Sequence, residues 1–197
     1  MITTKDLAKL TQKKFREQTG LCVIEGEKLV AEHKDKILQT FNREPYGIVG
    51  VARIPNQRAV TFPYLVLDGI QDPGNVGTLL RTAKAFGFDT IFTRGDTADP
   101  WSQKVIRSAM GAQFGLNIIE GFESAPKDSE LYIADMNGDA GARPKGKFGL
   151  VLGNEGNGVS AEIRALPHKI VSIPMKSDIN SLNVAVAGGI IMHVWSQ

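Results

Sequence analysis

The chain has 197 residues, a formal net charge of +2, and 42% hydrophobic against 22% charged side chains, a composition that suits one or two globular domains with a sizeable core. Its single cysteine, Cys22, excludes an internal disulfide framework and a cysteine-based zinc site, and reads as a small buried side chain. No apolar run reaches membrane length, and the opening MITTKDLAKLTQKKF lacks the apolar centre of a signal peptide, so the cytoplasm is the expected location.

Charge is unevenly spread: residues 1–61 carry a net +4 and residues 62–197 a net −2. A basic small part on a near-neutral large one suits an anionic partner held through the N-terminus, or equally a solvated surface. Residues 5–18 are predicted as a basic helix, with Leu7, Leu10 and Phe15 as apolar points among Lys9, Lys13, Lys14 and Arg16, closed by Gly20. A strand over 21–24, a helix over 25–41 and a strand over 48–54 follow. Pro55, Asn56 and Gln57 mark a boundary. They leave a small α+β domain at 1–61, whose core is too slight to stand without leaning on the rest of the chain.

From Pro63 the pattern alternates. Strands are predicted over 64–67, 90–92, 116–119, 131–134, 150–152 and 170–173. Helices are predicted over 75–86 and 101–110, with a short one from Ser160. Strands rich in Val, Ile and Leu between helices define an α/β domain over 62–197, with a mostly parallel sheet flanked by helices. After a polar loop at 176–180, residues 182–195 carry only Asn183 and His193 as strongly polar side chains. This last segment is expected to be a helix capped by Ser181 and buried on every side, by the fold, by a partner chain or by both.

Three strand ends carry unusual loops. In LDGIQDPGNVGTLLRTAKAFGF, Asp72-Pro73-Gly74 is a turn and Asn75 a candidate cap for the next helix. Arg81 falls about 170° around that helix from its apolar stripe, so it is either a solvated surface residue or a functional one. LVLGNEGNGVS places three glycines with Asn154, Glu155 and Asn157 after a buried strand, where α/β proteins bind ligands. Its G-x-x-G-x-G spacing is neither a dinucleotide fingerprint nor a P-loop, and a plain structural turn is the competing reading. The third loop holds Ser181 and Asn183, and a buried amide at Asn183 would need partners. Elsewhere, Lys104 and Arg107 in KVIRSAMGAQF suit either phosphate contacts or a solvated helix. His33, His168 and His193 lack ligand spacing, so no metal is expected.

Together, DPGNVGTLLRTAKAFG, LVLGNEGNGVS, and IPM with SLNVAVAGG resemble the three signature motifs of the SpoU (TrmH-like) branch of the SPOUT RNA methyltransferases. KVIRSAMGAQF between them resembles the family as well. The likeness covers about residues 64–195, with the motifs in the family's order. It implies a C-terminal deep trefoil knot, a homodimer, and S-adenosylmethionine-dependent 2′-O-methylation of a ribose in structured RNA, rRNA ahead of tRNA. By the same resemblance, Gly153, Ile173 and Leu182 would meet the cofactor largely through backbone groups. Asn154, Glu155 and Met175 would lie nearby, and Ala134 in IADMNG on another wall. Asn75, Arg81, Glu155, Ser181 and Asn183 match the family's polar active-site set.

The resemblance makes Arg81 the general base, but a guanidinium is a poor proton acceptor. Positioning an RNA phosphate and stabilising the developing alkoxide suits it better, with Glu155 and Asn75 orienting it and Ser181 and Asn183 holding the ribose or cofactor loop. Lys13, Lys14 and Arg16 are the N-terminal candidates for RNA contact. KKFREQTGLCVIEGEKLV and YGIVGVARIP resemble the two ends of the family's substrate-binding domain, with a shortened middle between them. The competing function is a non-catalytic RNA-binding or ribosome-assembly protein that keeps the fold. A dinucleotide-dependent dehydrogenase fails on glycine spacing.

Overall fold

The structure is a computed structural model, described here for residues 2–44, 47–176 and 181–197. The N-terminal part starts with α1 (Thr4–Lys9), closed by a capping box between Thr3 and Asp6. A second helix, α2 (Lys13–Thr19), ends at Gly20 in the left-handed region, φ 64°. The single helix expected over 5–18 is thus two. The Thr11 hydroxyl donates to Ala8 O at 2.8 Å and Gln12 is extended, which interrupts the helix and turns Leu7 and Leu10 into the core.

Next come β1 (Leu21–Glu25), α3 (Glu27–Glu32), β2 (Ile37–Arg43) and β3 (Gly47–Arg53), an antiparallel sheet in the order β1-β3-β2. The helix expected over 25–41 therefore stops at Glu32. Beyond the polar turn at 33–36 the period changes to two, with Ile37, Gln39 and Phe41 on the more buried side and Leu38, Thr40 and Asn42 outward. One face of this sheet covers Leu7 and Leu10. Its other face, with Cys22 and Ile24, packs on Ile106 and Phe114 of the larger part, so the small core does lean on its neighbour.

The larger part contains β4 (Tyr64–Asp68), α4 (Pro73–Ala85), β5 (Thr90–Arg94), α5 (Gln103–Ser108), β6 (Asn117–Glu120) and β7 (Glu130–Asp139). It continues through β8 (Phe148–Gly153), α6 (Ala161–Arg164), β9 (Lys169–Val171) and α7 (Val184–Trp195). The strands form one parallel sheet in the order β6-β5-β4-β8-β7-β9, the α/β architecture expected. Strand order switches direction between β4 and β8, which opens a crevice at their carboxyl ends. Leu65, Leu67, Leu79, Leu80, Leu150 and Leu152 are fully buried in the core shared with α4, α5 and α7, each contributing about 1.5–3 kcal/mol. Tyr64, Val66, Phe92 and Val151 form the core on the opposite face.

The final helix differs from expectation at its cap. Asn183, not Ser181, fills it: Asn183 Oδ1 accepts from Ala185 N at 2.9 Å and Val186 N at 3.3 Å. Its own chain encloses only part of the helix, since Val186 and Ile190 are 51% and 39% exposed. Its inner face uses Gly188 to approach closely; a Cβ there would lie 2.6 Å from methyls of both Leu79 and Leu152. Strand β9 ends at Val171, two residues short of expectation. Of the polar loop at 176–180, residues 177–180 lie outside the described residues.

Candidate active site

A cavity of about 250 Å³ opens at the carboxyl ends of β7, β8 and β9, with α7 as one wall. Ala134, Gly153, Asn154, Glu155, Ile173, Met175 and Leu182 all line it, as does Ser181. The loop after β8 is shaped by two residues. Gly153 has no room for a side chain, because a Cβ would lie 2.4 Å from Gly158 C and Val159 N. Asn154 exchanges backbone bonds with Gly158 at 3.0 and 2.9 Å, and its Oδ1 accepts from Gly156 N and Asn157 N. Asn154 Nδ2 then donates to Gly69 O at 2.9 Å, tying the loop to the end of β4. The Asn154 amide is therefore committed to loop architecture.

The rim joins three distant loops. Asn75 Nδ2 donates to Glu155 Oε1 at 2.5 Å, and Asn183 Nδ2 donates to Asn75 Oδ1 at 3.0 Å. Asn75 is not the cap of α4 as expected. Asp72 fills that role, accepting from Asn75 N at 2.8 Å, which leaves the Asn75 side chain free to bridge Glu155 and Asn183.

Arg81 stands apart from this chain. Six residues beyond Asn75, it lies about 9 Å further along α4 and on another sector of the helix. It is exposed, and no acceptor among the described residues pairs with it. Within the chain Asn75 and Glu155 bond to each other, and neither hydrogen-bonds to Arg81.

The N-terminal cations separate as well. Lys14 is exposed, and Lys13, also exposed, pairs with Glu120. Arg16 is only 4% exposed; it pairs with Asp99, and its Nη1 donates to Leu10 O at 2.7 Å. Arg16 thus pins α2 to the larger part and is no free RNA contact.

Two carboxylates escaped the sequence reading. Asp68, at the end of β4, accepts from Ser160 N at 2.7 Å and from Arg94 Nη1 at 3.1 Å, joining the ends of β4 and β5 to the loop after β8. Asp135, on the cavity wall, pairs with Arg164 at 2.6 Å. The Arg164 bond, helped by Asn137 N, holds the Asp135 carboxyl below the ordinary carboxylate range. For Asp68, an acidic residue closing a parallel strand was the signal available.

A parallel α/β sheet with a knuckled glycine loop, a cavity at its switch-side strand ends and a polar rim of Asn75, Glu155 and Asn183 defines a ligand-binding α/β domain of the enzyme kind. The family model described as SpoU rRNA Methylase family matches residues 63–193, and the chain belongs to that family. A second model, the MRM3-like substrate binding domain, matches residues 3–40. The 23S rRNA (guanosine(2553)-2′-O)-methyltransferase RlmP of Bacillus subtilis is 29% identical, over 96% of this chain and 94% of its own. Among solved structures, one described as an RNA methyltransferase of the TrmH family from Porphyromonas gingivalis superposes with TM-score 0.82. It is 27% identical and covers 99% of this chain and 98% of its own. An AdoMet-bound rRNA methyltransferase from Sinorhizobium meliloti superposes with TM-score 0.79 at 26% identity, covering 98% of this chain and 95% of its own.

Proposed function

We propose that this chain transfers the methyl group of S-adenosylmethionine to a ribose 2′-hydroxyl of structured RNA, with rRNA as the substrate class. The observation that carries the reading is the Glu155–Asn75–Asn183 hydrogen-bonded chain, which starts at Glu155 on the cavity wall. A purely RNA-binding descendant would have no need of it. Family membership and the methyltransferase relatives support the same reaction.

When bound, the cofactor supplies an electrophilic sulfonium methyl. Gly153, Ile173 and Leu182 would hold it mainly through backbone groups, with Ala134 and Met175 on the same cavity wall, and Asn154 keeps the loop in shape. Glu155 is held by Asn75, and Asn75 by Asn183, so the three polar groups act as one preorganised rim for the ribose, beside Ser181. Arg81, exposed and unpaired among the described residues, binds an RNA phosphate near the reacting nucleotide. Its guanidinium has no lone pair to offer as a base.

Residues 1–61 form the RNA-binding domain and 62–197 the methyltransferase domain in this reading. Lys14, and Lys13 when released from Glu120, extend the RNA contact, while Arg16 is structural. One contact supports the knot expected of the family. Trp195 Nε1 donates to Ala142 O at 3.0 Å, so the end of α7 lies beneath the connection after β7. The exposed Val186 and Ile190 of α7 support a homodimer formed through that face. Among the described residues no helix is long and apolar enough to cross a membrane; the cytoplasm, where rRNA is assembled in bacteria, is the location proposed.

The test is methyl transfer from labelled S-adenosylmethionine to ribosomal RNA taken from cells lacking the gene, followed by mapping of alkali-resistant 2′-O-methyl positions. A single new resistant position is expected. Labelling of a base, or of protein only, sinks the reading.

A further inference from the structure

Among the described residues the cavity carries two charged side chains, Asp135 and Glu155, both carboxylates, and no lysine, arginine or histidine lines it. Glu155 is engaged by Asn75. Asp135 belongs to no part of the rim. Its Oδ1 accepts from Asn137 N at 3.1 Å and Asn137 Nδ2 at 3.3 Å, and its Oδ2 accepts from Arg164 Nη2. Arg164 does not line the cavity; it approaches from α6, where its Nε also donates to Val159 O at 3.2 Å. The carboxylate is therefore fixed in position, kept ionised, and presented on a wall whose only other charge among the described residues has the same sign. A cavity of this kind binds a cation more tightly than a neutral molecule of nearly the same shape.

We propose that Asp135 is a specificity-determining residue through which the cavity discriminates by charge, holding the sulfonium form of the cofactor in preference to the neutral thioether left after transfer. The inference rests on the cavity being the cofactor site. S-Adenosylmethionine and S-adenosylhomocysteine share every group except one methyl and the positive charge that goes with it. Hydrophobic and backbone contacts treat the two almost alike, whereas a fixed carboxylate does not. Transfer removes the charge that Asp135 favours, so the spent cofactor is held less tightly than the fresh one that replaces it.

Calorimetric titration of the full chain with each of the two ligands tests this in the unaltered protein, Asp135→Asn and Arg164→Gln, at low and high salt. The unaltered protein is expected to prefer the sulfonium, and the preference to shrink as salt rises. Asp135→Asn should reduce the preference by about five- to tenfold, and Arg164→Gln, which removes the neutralising partner, should widen it. A damaged cavity would instead weaken both ligands together in both variants. Equal losses, or a preference indifferent to salt and to both substitutions, overturn the proposal. Should Asp135→Asn fail to fold, Arg164→Gln still decides, because an unchanged preference in that variant overturns the proposal. Failure of the unaltered protein to bind either ligand is a separate result that removes the cofactor reading itself.

Discussion

Asn183 donates its side-chain amide to Asn75 across 108 residues of sequence, while its side-chain oxygen caps α7. One residue thus sets the start of the last helix and closes the polar rim. The two duties are separable. Asn183→Asp keeps a cap acceptor and suits the helix N-terminus but loses the donor, so thermal stability should hold while methyl transfer falls. Asn183→Ala loses both, and should add a stability cost of about 0.5–2 kcal/mol. Melting curves and transfer rates on the same preparations check the pair; equal melting losses in both would show that the cap and the link are not independent.

Arg81→Ala should lower methyl transfer by about 10–10²-fold, the scale of losing a charged hydrogen bond to an RNA phosphate worth about 1.5–3 kcal/mol. Because Arg81 is exposed, stability should change by less than about 0.5 kcal/mol. Cofactor affinity, measured by calorimetry, should be unchanged. Parallel loss of cofactor binding would count against its assignment to the RNA phosphate.

Gly188 and Gly189 are neighbours with opposite expectations. Gly188→Ala places a methyl 2.6 Å from both Leu79 Cδ2 and Leu152 Cδ1, and should cost about 1–3 kcal/mol. Gly189→Ala meets only Thr82 Cγ2 at 3.7 Å, within a helix, and should be neutral or stabilising by up to about 1 kcal/mol in the monomer. Denaturant midpoints of the two variants check the contrast. If α7 does form a dimer face, Gly189→Ala should also shift the association constant in sedimentation experiments.

Arg16 and Lys14, two residues apart, test the division between structure and RNA contact. Arg16→Ala leaves Asp99 without its cation in a mostly buried setting and should destabilise by about 3–5 kcal/mol. Lys14→Ala should leave the melting temperature alone and reduce the salt slope of RNA binding by somewhat less than one unit. A salt slope unchanged by Lys14→Ala would remove it from the RNA surface.

What the sequence disclosed and what it withheld follow from the range of the forces involved. The parallel sheet was legible because its strands are buried on both faces and read as unbroken Val, Ile and Leu runs between helical patterns. The helix placed over 25–41 failed because Ile37, Leu38 and Phe41 fit either period, and only pairing with β3 decides between them. The caps at Asp72 and Asn183 were each displaced by several residues or fewer, since Asp, Asn and Ser compete for the same amides. Arg16 looked like any surface cation until Asp99, 83 residues away, was seen beside it. Asp135 was overlooked for a similar reason: its significance comes from Arg164 and from what the cavity lacks, neither of which is local.

The small N-terminal sheet is bound to the larger part through Ile106 and Phe114, a His33 Nε2 bond to Met110 O at 3.3 Å, and Glu25 facing Arg107 at 3.6 Å. With so many points of attachment the two parts behave as the fixed jaws of a caliper. On the functional reading above, RNA gripped by the first jaw offers its reacting ribose to the second at one set spacing. The choice of nucleotide then becomes in part a measurement of length and angle along folded RNA.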